Sequence, residues 1–352
     1  MRKLKARYLS AAVLIALLFG ASHFARAASP AEAASHDLQV YFIDVDGGQS
    51  TLFVTPAGKS LLIDTGWAGN NGLDAGRIAA AAKDAGVTKI DYLLFTHYHA
   101  DHIGGLPELL ARMPVGTFID HGPDSPTDPS TKKAYPAYQQ ILASGHYGHI
   151  TPKPGDLLPI PGIKAVVISS NGEVLNHPLP GAGQPNAYCK ESETRPDDTT
   201  DNSRSLGTLF TFGKTKIIDL GDLTWDKEMK LMCPVNRVGK VDILVVSHHG
   251  LFQSSSPALV DAIAPRIAIM NNGAKKGGST PTFETLAKAP GLETLWQLHF
   301  SDEAGTHNTA AEYIANPTGP DAANYLKLTV HPSGSFTVFN SGTGKTKDYA
   351  AR

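Results

Sequence analysis

The amino-acid sequence predicts an α/β protein built from layers of sheet and helix. Its 352 residues are 41% hydrophobic and 18% charged, which gives enough apolar surface for a large core and excludes a disordered chain. Segments rich in Val, Ile, Leu and Phe alternate with segments of helical spacing along most of the chain. The chain contains two cysteines, which excludes a disulfide-dense scaffold and a cysteine-rich zinc ribbon.

Residues 1–27 have the order of a secretory signal peptide. A basic start precedes an apolar run at 9–22 that is too short to span a bilayer, and Ala25 and Ala27 are the small residues that a signal peptidase reads. We expect cleavage after Ala27 and a periplasmic or secreted protein that does not associate with the membrane. An uncleaved N-terminal anchor is the alternative.

The charge of the mature chain limits its partners. Without the five basic residues of 1–27, the chain has 26 Lys and Arg against 33 Asp and Glu, a net charge of −7. This predicts no broad binding of duplex nucleic acid, which needs a basic surface. It does not exclude a phosphate-containing substrate, because bound metal ions reverse the local field. Export also leaves two states open for Cys189 and Cys233, a disulfide or two buried thiols.

The first half of the mature chain begins with a hairpin and continues as alternating helix and strand. A Pro-Ala-Gly turn at 56–58 separates two apolar runs, and an Ala-rich segment with helical spacing follows. We expect strands at 38–44, 50–55, 60–64, 90–96 and 117–120, with helices at 72–85 and 106–113.

The interval from about 122 to 202 breaks this pattern. It is dense in Pro, Gly, Ser, Thr and Asp, with one helical piece near 135–143 and one clear strand at 164–169. We expect a loop-rich insertion that covers a site, because loops of this length in compact domains are usually functional or disordered.

The second half repeats the order of the first. A hairpin around Gly213-Lys214 precedes further helices and strands, and Thr280-Pro281 is a typical helix start. Strands are expected at 206–212, 215–220, 241–247, 266–270, 294–298, 325–330 and 336–340, with helices at 225–232 and 257–263. Two similar half-sheets packed face to face, with helices outside, would satisfy this order.

The strongest chemical signal lies at residues 96–105, where a strand rich in Leu and Phe ends. His97 and His99 are two residues apart and share one face in extended geometry, and Asp101 and His102 follow on the next turn. Neutral imidazoles and carboxylates that converge at a strand end are typical metal ligands. The four side chains therefore predict a site for one or two metal ions.

This decapeptide resembles the H-x-H-x-D-H signature of the metallo-β-lactamase superfamily. The resemblance implies a four-layer αββα sandwich over 28–352, the insertion included, with one or two Zn²⁺ ions at one edge of the sheets. It implies that Asp64 supports the ligands from behind and that Asp222 bridges the ions. His248 or His249 would be the last ligand of the second ion. We favour His248, which directly follows Ser, and leave His249 as a proton donor or phosphate contact.

A finer resemblance concerns residues 42–50 and 201–206. They are similar to the extracellular metallo-β-lactamase domain of the ComEC/Rec2 DNA-uptake proteins, and teichoic acid phosphorylcholine esterases share much of the pattern. The chain departs from the wider superfamily at Asn202, where relatives carry a third His. Because Asn is a weak zinc ligand, we expect it to orient the site, or the position to hold a harder ion such as Mn²⁺.

These residues predict an exported metal-dependent hydrolase. We expect it to act on a small or polymeric phosphoester, plausibly a phosphodiester, through a metal-bridging hydroxide held by Asp101 and Asp222. His249 or His121 would protonate or steady the leaving group. The alternatives are a carbonyl hydrolase (a lactamase, lactonase or thioester hydrolase) and a non-catalytic metal-binding surface protein.

Overall fold

The computed structural model describes residues 37–318 and 323–352. The predicted signal peptide, residues 1–27, lies outside the described residues. Within the described part, none of the helices combines the length and the apolar character that crossing a membrane would require.

Strands and short helices alternate along the described chain. The strands are β1 (Leu38–Phe42), β2 (Thr51–Val54), β3 (Ser60–Ile63), β4 (Ile90–Leu94), β5 (Val115–Ile119), β6 (Gly148–Ile150), β7 (Leu157–Leu158), β8 (Lys164–Ser170), β9 (Glu173–Val174), β10 (Gly207–Phe212), β11 (Thr215–Asp219), β12 (Ile243–Val245), β13 (Ile267–Met270), β14 (Thr294–His299), β15 (Ile314–Asn316), β16 (Leu326–Val330), β17 (Phe336–Asn340) and β18 (Thr346–Tyr349). The α-helices are α1 (Leu73–Asp84), α2 (Ala100–Ile103), α3 (Leu106–Leu110), α4 (Tyr135–Ala143), α5 (Trp225–Met232), α6 (Pro257–Ile263) and α7 (Thr280–Lys288).

The strands form two mixed sheets. The order is β18-β17-β16-β1-β2-β3-β4-β5-β6 in the first sheet and β15-β14-β13-β12-β11-β10-β8-β7 in the second, with β9 paired to β8. Strands β3 to β6 are parallel in the first sheet, and β11 to β15 are parallel in the second. Because parallel strands end at the same edge of a sheet, the loops that follow them are brought together.

The alternation of side chains along the strands creates the layers. In β1, Leu38 and Phe42 belong to a core cluster shared with Phe210 of the second sheet, whereas Tyr41 belongs to a cluster with residues of α1, α3 and α4. A third cluster joins the other face of the second sheet to α5, α6 and α7. The order of layers is therefore helix, sheet, sheet and helix, and the four-layer αββα prediction is confirmed.

The interval 122–202 contributes to both sheets. Strand β6 extends the first sheet beside β5, and β8 pairs with β10 in the second. The expected strand at 164–169 is β8, and the expected helix is α4, whereas the short strands β6, β7 and β9 were not expected. Large parts of this interval therefore belong to the sandwich itself.

A disulfide joins the interval to the outer helices. Cys189 and Cys233 are bonded across a separation of 44 residues, which settles the choice that the sequence left open. Cys233 directly follows α5. The bond therefore ties the last part of the interval to the helix layer beside the second sheet.

Candidate metal centre

The predicted ligands follow parallel strands of the two sheets. His97 and His99 come after β4, and His99 is the N-cap of α2, which carries Asp101 and His102. Asp222 follows β11 in the second sheet. These loops meet at one edge of the sandwich, and their side chains are largely buried.

Four of the side chains form a compact group. Asp101, His102, Asp222 and His249 each offer one ligand atom, and these atoms lie within 4.8 Å of one another. The Nε2 atoms of His102 and His249 are 3.2 Å apart. Each of these nitrogens also lies within 3.4 Å of Asp222 Oδ2. Imidazole nitrogens and carboxylate oxygens gathered this closely fit a divalent cation.

The two consecutive histidines after β12 occupy different places. His248 and His249 both have left-handed backbone angles, with φ of 54° and 53°. His249 belongs to the compact group, 3.2 Å from Asp101 Oδ2. His248 Nε2 instead lies 3.4 Å from Asp222 Oδ2 and 3.5 Å from the Asn202 amide nitrogen. His249 therefore joins the compact group, and His248 lies between Asp222 and Asn202; which of the two binds a metal ion stays a prediction.

A second position lies on the other side of Asp222. His97 Nε2 is 3.8 Å from Asp222 Oδ2. His97 Nε2, Asp222 Oδ1 and Asn202 Oδ1 are among the buried atoms that have no hydrogen-bond partner in the described part of the chain. Buried acceptors are costly to leave unpaired, so this set also fits a cation.

His99 lies beside His97, and one of its ring nitrogens is already engaged. Its Nε2 donates to Asp128 Oδ2 at 2.6 Å, because a carboxylate only accepts hydrogen bonds. The other ring nitrogen, Nδ1, therefore keeps its lone pair. His97 and His99 rings lie 4.6 Å apart between centroids.

Asp64 lies behind the compact group and contacts one of its members, His102. Its carboxylate accepts hydrogen bonds from the Thr96 backbone N–H at 2.9 Å and from His102 Nδ1 at 2.7 Å. The bond to Nδ1 leaves the lone pair of His102 on Nε2, which is the nitrogen that faces the group. Burial raises the pKa of Asp64, and the interaction with His102 opposes that rise.

The charges of the site suit metal ligation. Burial and the neighbouring His102 hold the pKa of His97 well below its ordinary value, so its imidazole is neutral. The pKa of His102 is raised because Asp222 and Asp101 outweigh its burial. The pKa of Asp222 is held well below its usual range, because His249 and other histidines outweigh burial. The ionised carboxylates and the neutral His97 suit metal ligation, whereas a cation at His102 would have to displace a proton from its ring.

His121 lies behind the site rather than in the compact group. It is 1% exposed, and its Nε2 donates to Asp201 Oδ2 at 3.2 Å. Asp201 also accepts the backbone N–H groups of Tyr98 at 2.8 Å and Ser125 at 2.7 Å. His121 therefore helps to hold the segment that carries Asn202, and its predicted role toward a leaving group stays a prediction.

Two residues at the site were missed by sequence reasoning. Asp128 is the partner of His99, and its contact spans 29 residues of the loop-rich interval. Burial raises the pKa of Asp128, but hydrogen bonds from the Asp201 backbone, His99 and the Ser130 backbone lower it to about 2. Lys276, after β13, donates to Asp101 Oδ2 and to the Gly47 carbonyl. The sequence did contain one signal for Lys276: it is a basic residue that follows a strand, β13, ending at the same edge of the sandwich.

The glycines of residues 42–50 allow a close approach to the metal loop. A Cβ atom on Gly48 would stand 2.5 Å from the Asp101 carbonyl oxygen. The Gln49 backbone N–H donates to that same oxygen at 3.1 Å. A side chain at position 48 would therefore push away the turn that carries Asp101. The close approach of the two segments thus requires glycine at this position.

A cavity of about 470 Å³ opens next to this loop. Trp67 and Lys276 line it, and the Lys276 ammonium lies 5.0 Å from the centroid of the Trp67 ring. Because Lys276 also contacts Asp101, the cavity and the metal ligands share a wall. The cavity provides room for a substrate group beside the predicted metal position.

The chain is similar to known proteins over much of its length. Residues 43–189 match the model of the metallo-beta-lactamase superfamily. Recombination protein 2 of Haemophilus influenzae is 26% identical over 237 residues, which cover 67% of this chain and 24% of that protein. A metal-dependent hydrolase of Polynucleobacter asymbioticus is 30% identical over 208 residues, covering 54% of this chain and 65% of that protein. The chain thus spans about a quarter of the first relative and less than two thirds of the second.

One solved structure also aligns with much of the chain. The metallo-beta-lactamase fold protein YhfI from Bacillus subtilis aligns with a TM-score of 0.45 and 14% identity, over 74% of this chain and 95% of that protein. The expected resemblance to the superfamily, including a Rec2 protein, is confirmed by these matches.

Proposed function

Since the chain carries a domain of the metallo-β-lactamase superfamily, we propose that it is an exported metal-dependent hydrolase of phosphoesters. The observation that carries this proposal is the position of Asp222. Its Oδ2 lies 3.3 Å from His102 Nε2, 3.4 Å from His249 Nε2, 3.4 Å from His248 Nε2 and 3.8 Å from His97 Nε2. A carboxylate surrounded by imidazoles from both sides suits a bridge between two cations.

We assign two metal positions to these side chains. One is formed by Asp101, His102, Asp222 and His249, and the other by His97, His99 and Asp222 with His248 and Asn202 beside them. Zn²⁺ is the proposed ion because imidazole nitrogens dominate both sets. The Asn202 oxygen makes Mn²⁺ the alternative at the second of these positions.

The protein side chains then have distinct tasks in hydrolysis. Divalent cations bound here would lower the pKa of a water molecule and polarise a phosphoryl oxygen. Asp64 keeps the Nε2 lone pair of His102 directed into the site. Lys276 is a cation at the edge of the site that can hydrogen-bond an anionic substrate oxygen. The neighbouring cavity beside Trp67 would receive a group esterified to the phosphate.

Two features favour a phosphoester over a carbonyl substrate. Asn202 replaces the third imidazole, which leaves oxygen as well as nitrogen donors at one position. Lys276 adds a positive charge next to the proposed ions, and this suits a substrate that keeps a negative charge throughout the reaction.

Hydrolysis of defined esters tests the proposal. Mature protein with a measured Zn²⁺ or Mn²⁺ content is assayed with bis-p-nitrophenyl phosphate, nitrocefin and a homoserine lactone. We expect turnover of the phosphodiester. Asp348→Asn serves as the matched control for site substitutions, because Asp348 lies on the exposed strand β18, bonded to Thr337. Turnover of nitrocefin or the lactone alone would assign the site to carbonyl chemistry.

Export is the second part of the proposal. The Cys189–Cys233 disulfide supports it, since such bonds persist mainly in oxidising compartments. Intact-mass analysis of the protein from its native host should give a mature chain that begins near Ala28. A chain that retains residues 1–27 would instead indicate an N-terminal anchor.

A further inference from the structure

Asp128 forms a junction between the loop-rich interval and the metal loop. It is 2% exposed and follows β5 by nine residues. Its Oδ2 accepts hydrogen bonds from His99 Nε2 at 2.6 Å and from the Asp201 backbone N–H at 2.8 Å. Its Oδ1 accepts the Ser130 backbone N–H at 2.8 Å, which fixes the carboxylate in place.

The first of these bonds determines the tautomer of His99. With Nε2 donating to a carboxylate, the neutral ring carries its proton on Nε2 and its lone pair on Nδ1. Only the atom with the lone pair can bind a metal ion. Without this bond, the ring would exchange tautomers and rotate about its side-chain torsions.

The second bond, from the Asp201 backbone N–H, links Asp128 to the segment that carries Asn202. Asp201 begins a short 3-10 helix, Asp201–Arg204, in which the next residue is Asn202. The Asp201 carboxylate in turn accepts the backbone N–H of Tyr98, which stands between His97 and His99 in the chain. Asp128 and Asp201 therefore hold the metal loop and the Asn202 segment to each other.

We propose that Asp128 is a positioning residue for the metal position formed by His97, His99 and Asp222. It acts through His99, by fixing the Nδ1 lone pair, and through the Asp201 backbone, by fixing Asn202. The inference rests on the metal positions proposed above, but it does not depend on which ester is hydrolysed. The loop-rich interval thereby becomes part of the metal centre.

Metal affinity of the mature full chain is the first test. Chelator competition with Zn²⁺ should show two binding events in the wild type. Asp128→Asn places an amide against three N–H donors, so its NH₂ group must face at least one of them, and we expect one of the two ions to bind roughly 10–100-fold more weakly. The other ion should keep its affinity, which also shows that the variant is folded.

Asp124→Asn is the matched control. Asp124 lies in the same loop, but its carboxylate accepts from Thr131 and Lys132 rather than from His99. It should bind both ions as the wild type does. Equal affinities in wild type, Asp124→Asn and Asp128→Asn would overturn the inference. A wild type that binds fewer than two ions would contradict the proposed metal positions themselves.

A double-mutant cycle separates positioning from general structural support. In a His99→Ala background the ring is absent, so Asp128→Asn should weaken the same ion much less than it does in the wild type. Equal effects in the two backgrounds would mean that Asp128 does not act through His99, and would overturn that part of the inference.

The tautomer can be read without any variant. In metal-free wild type, ¹⁵N shifts of the His99 ring should show the proton on Nε2 and a bare Nδ1. A ring protonated on Nδ1 would contradict the inference even if Asp128→Asn failed to fold.

Discussion

Two carboxylate–imidazole pairs support the metal centre, and they come from different parts of the molecule. Asp64 holds His102 at 2.7 Å, and both residues follow parallel strands of the first sheet. Asp128 holds His99 at 2.6 Å, but Asp128 belongs to the loop-rich interval. One proposed metal position therefore depends on the strands of the sandwich, and the other also depends on a loop of the interval 122–202.

The difference suggests how such a site could change during evolution. The pair Asp64–His102 is anchored by the same strands that build the core, so we expect its alteration to disturb the fold more. The pair Asp128–His99 can be altered by changing a loop. Metal preference at one position can then shift while the other position, and the fold, stay constant.

The largest expected effect comes from removing the residue that both positions share. Asp222→Asn should weaken both ions and reduce phosphodiester turnover by about 10³-fold, equivalent to ~4 kcal/mol. The physical reason is that the neutral amide cannot bridge two cations. Metal analysis and kinetics on this variant and on Asp348→Asn are the measurement. Loss of only one ion would show that Asp222 serves a single position.

The paired histidines distinguish the two positions directly. His249→Ala should weaken binding of the ion that His249 shares with Asp101 and His102. The loss of affinity should exceed the roughly 10–100-fold expected for residues that only orient a ligand. His248→Ala should weaken the other ion instead, because its Nε2 lies beside Asn202. Zn²⁺ stoichiometry and affinity of the two variants provide the readout. Loss of the same ion in both would contradict the assignment of separate places.

The sequence predicted one side of this comparison much better than the other. Both hairpins and the parallel strands follow from hydrophobic periodicity, and α4, α5 and α6 have the predicted bounds. The ligands of the compact group follow strand ends in short motifs. By contrast, the contact of Asp128 with His99 and that of Lys276 with Asp101 span 29 and 175 residues, and no local pattern encodes them.

Short edge strands and tight turns were also beyond the sequence. Strand β6 has three residues, two of them exposed, so its pattern does not differ from that of a loop. The choice between His248 and His249 depends on two successive left-handed residues. Such angles are uncommon for residues other than glycine, and the site imposes them through the surrounding structure.

Glu228, a buried acid in α5, anchors the loop that follows His249. The Glu228 carboxylate accepts the backbone N–H groups of Ser255 at 2.8 Å and Ser256 at 2.7 Å. Burial raises the pKa of Glu228 from 4.5 to about 7. The folded state thus binds the proton more tightly, so the stability linked to this group is complete below pH 4.5 and is lost as pH rises to about 7.

The linked loss for Glu228 is up to about 3 kcal/mol. Denaturant unfolding of metal-free protein between pH 4.5 and 7 should therefore show a decline that Glu228→Gln reduces, because the amide does not ionise. Glu284→Gln, on the exposed side of α7, is the control and should keep the wild-type slope. An unchanged slope in Glu228→Gln would show that another group causes the decline.

The smallest expected effect concerns Asn202, which lies beside the metal position proposed for His97, His99 and Asp222. Its Oδ1 is buried without a hydrogen-bond partner among the residues described, and its amide nitrogen is 3.5 Å from His248 Nε2. Asn202→His would supply an imidazole where an amide stands, and we expect roughly tenfold tighter Zn²⁺ binding, ~1.4 kcal/mol, at that position alone.

Asn202→Ala should weaken Zn²⁺ binding at that position modestly and leave the ion held by Asp101, His102, Asp222 and His249 in place. Turnover should fall in Asn202→His, because a filled coordination sphere obstructs the substrate oxygen. Zn²⁺ titrations and rates of the three proteins in one buffer are compared, and indistinguishable values would mean that Asn202 takes no part in the metal position.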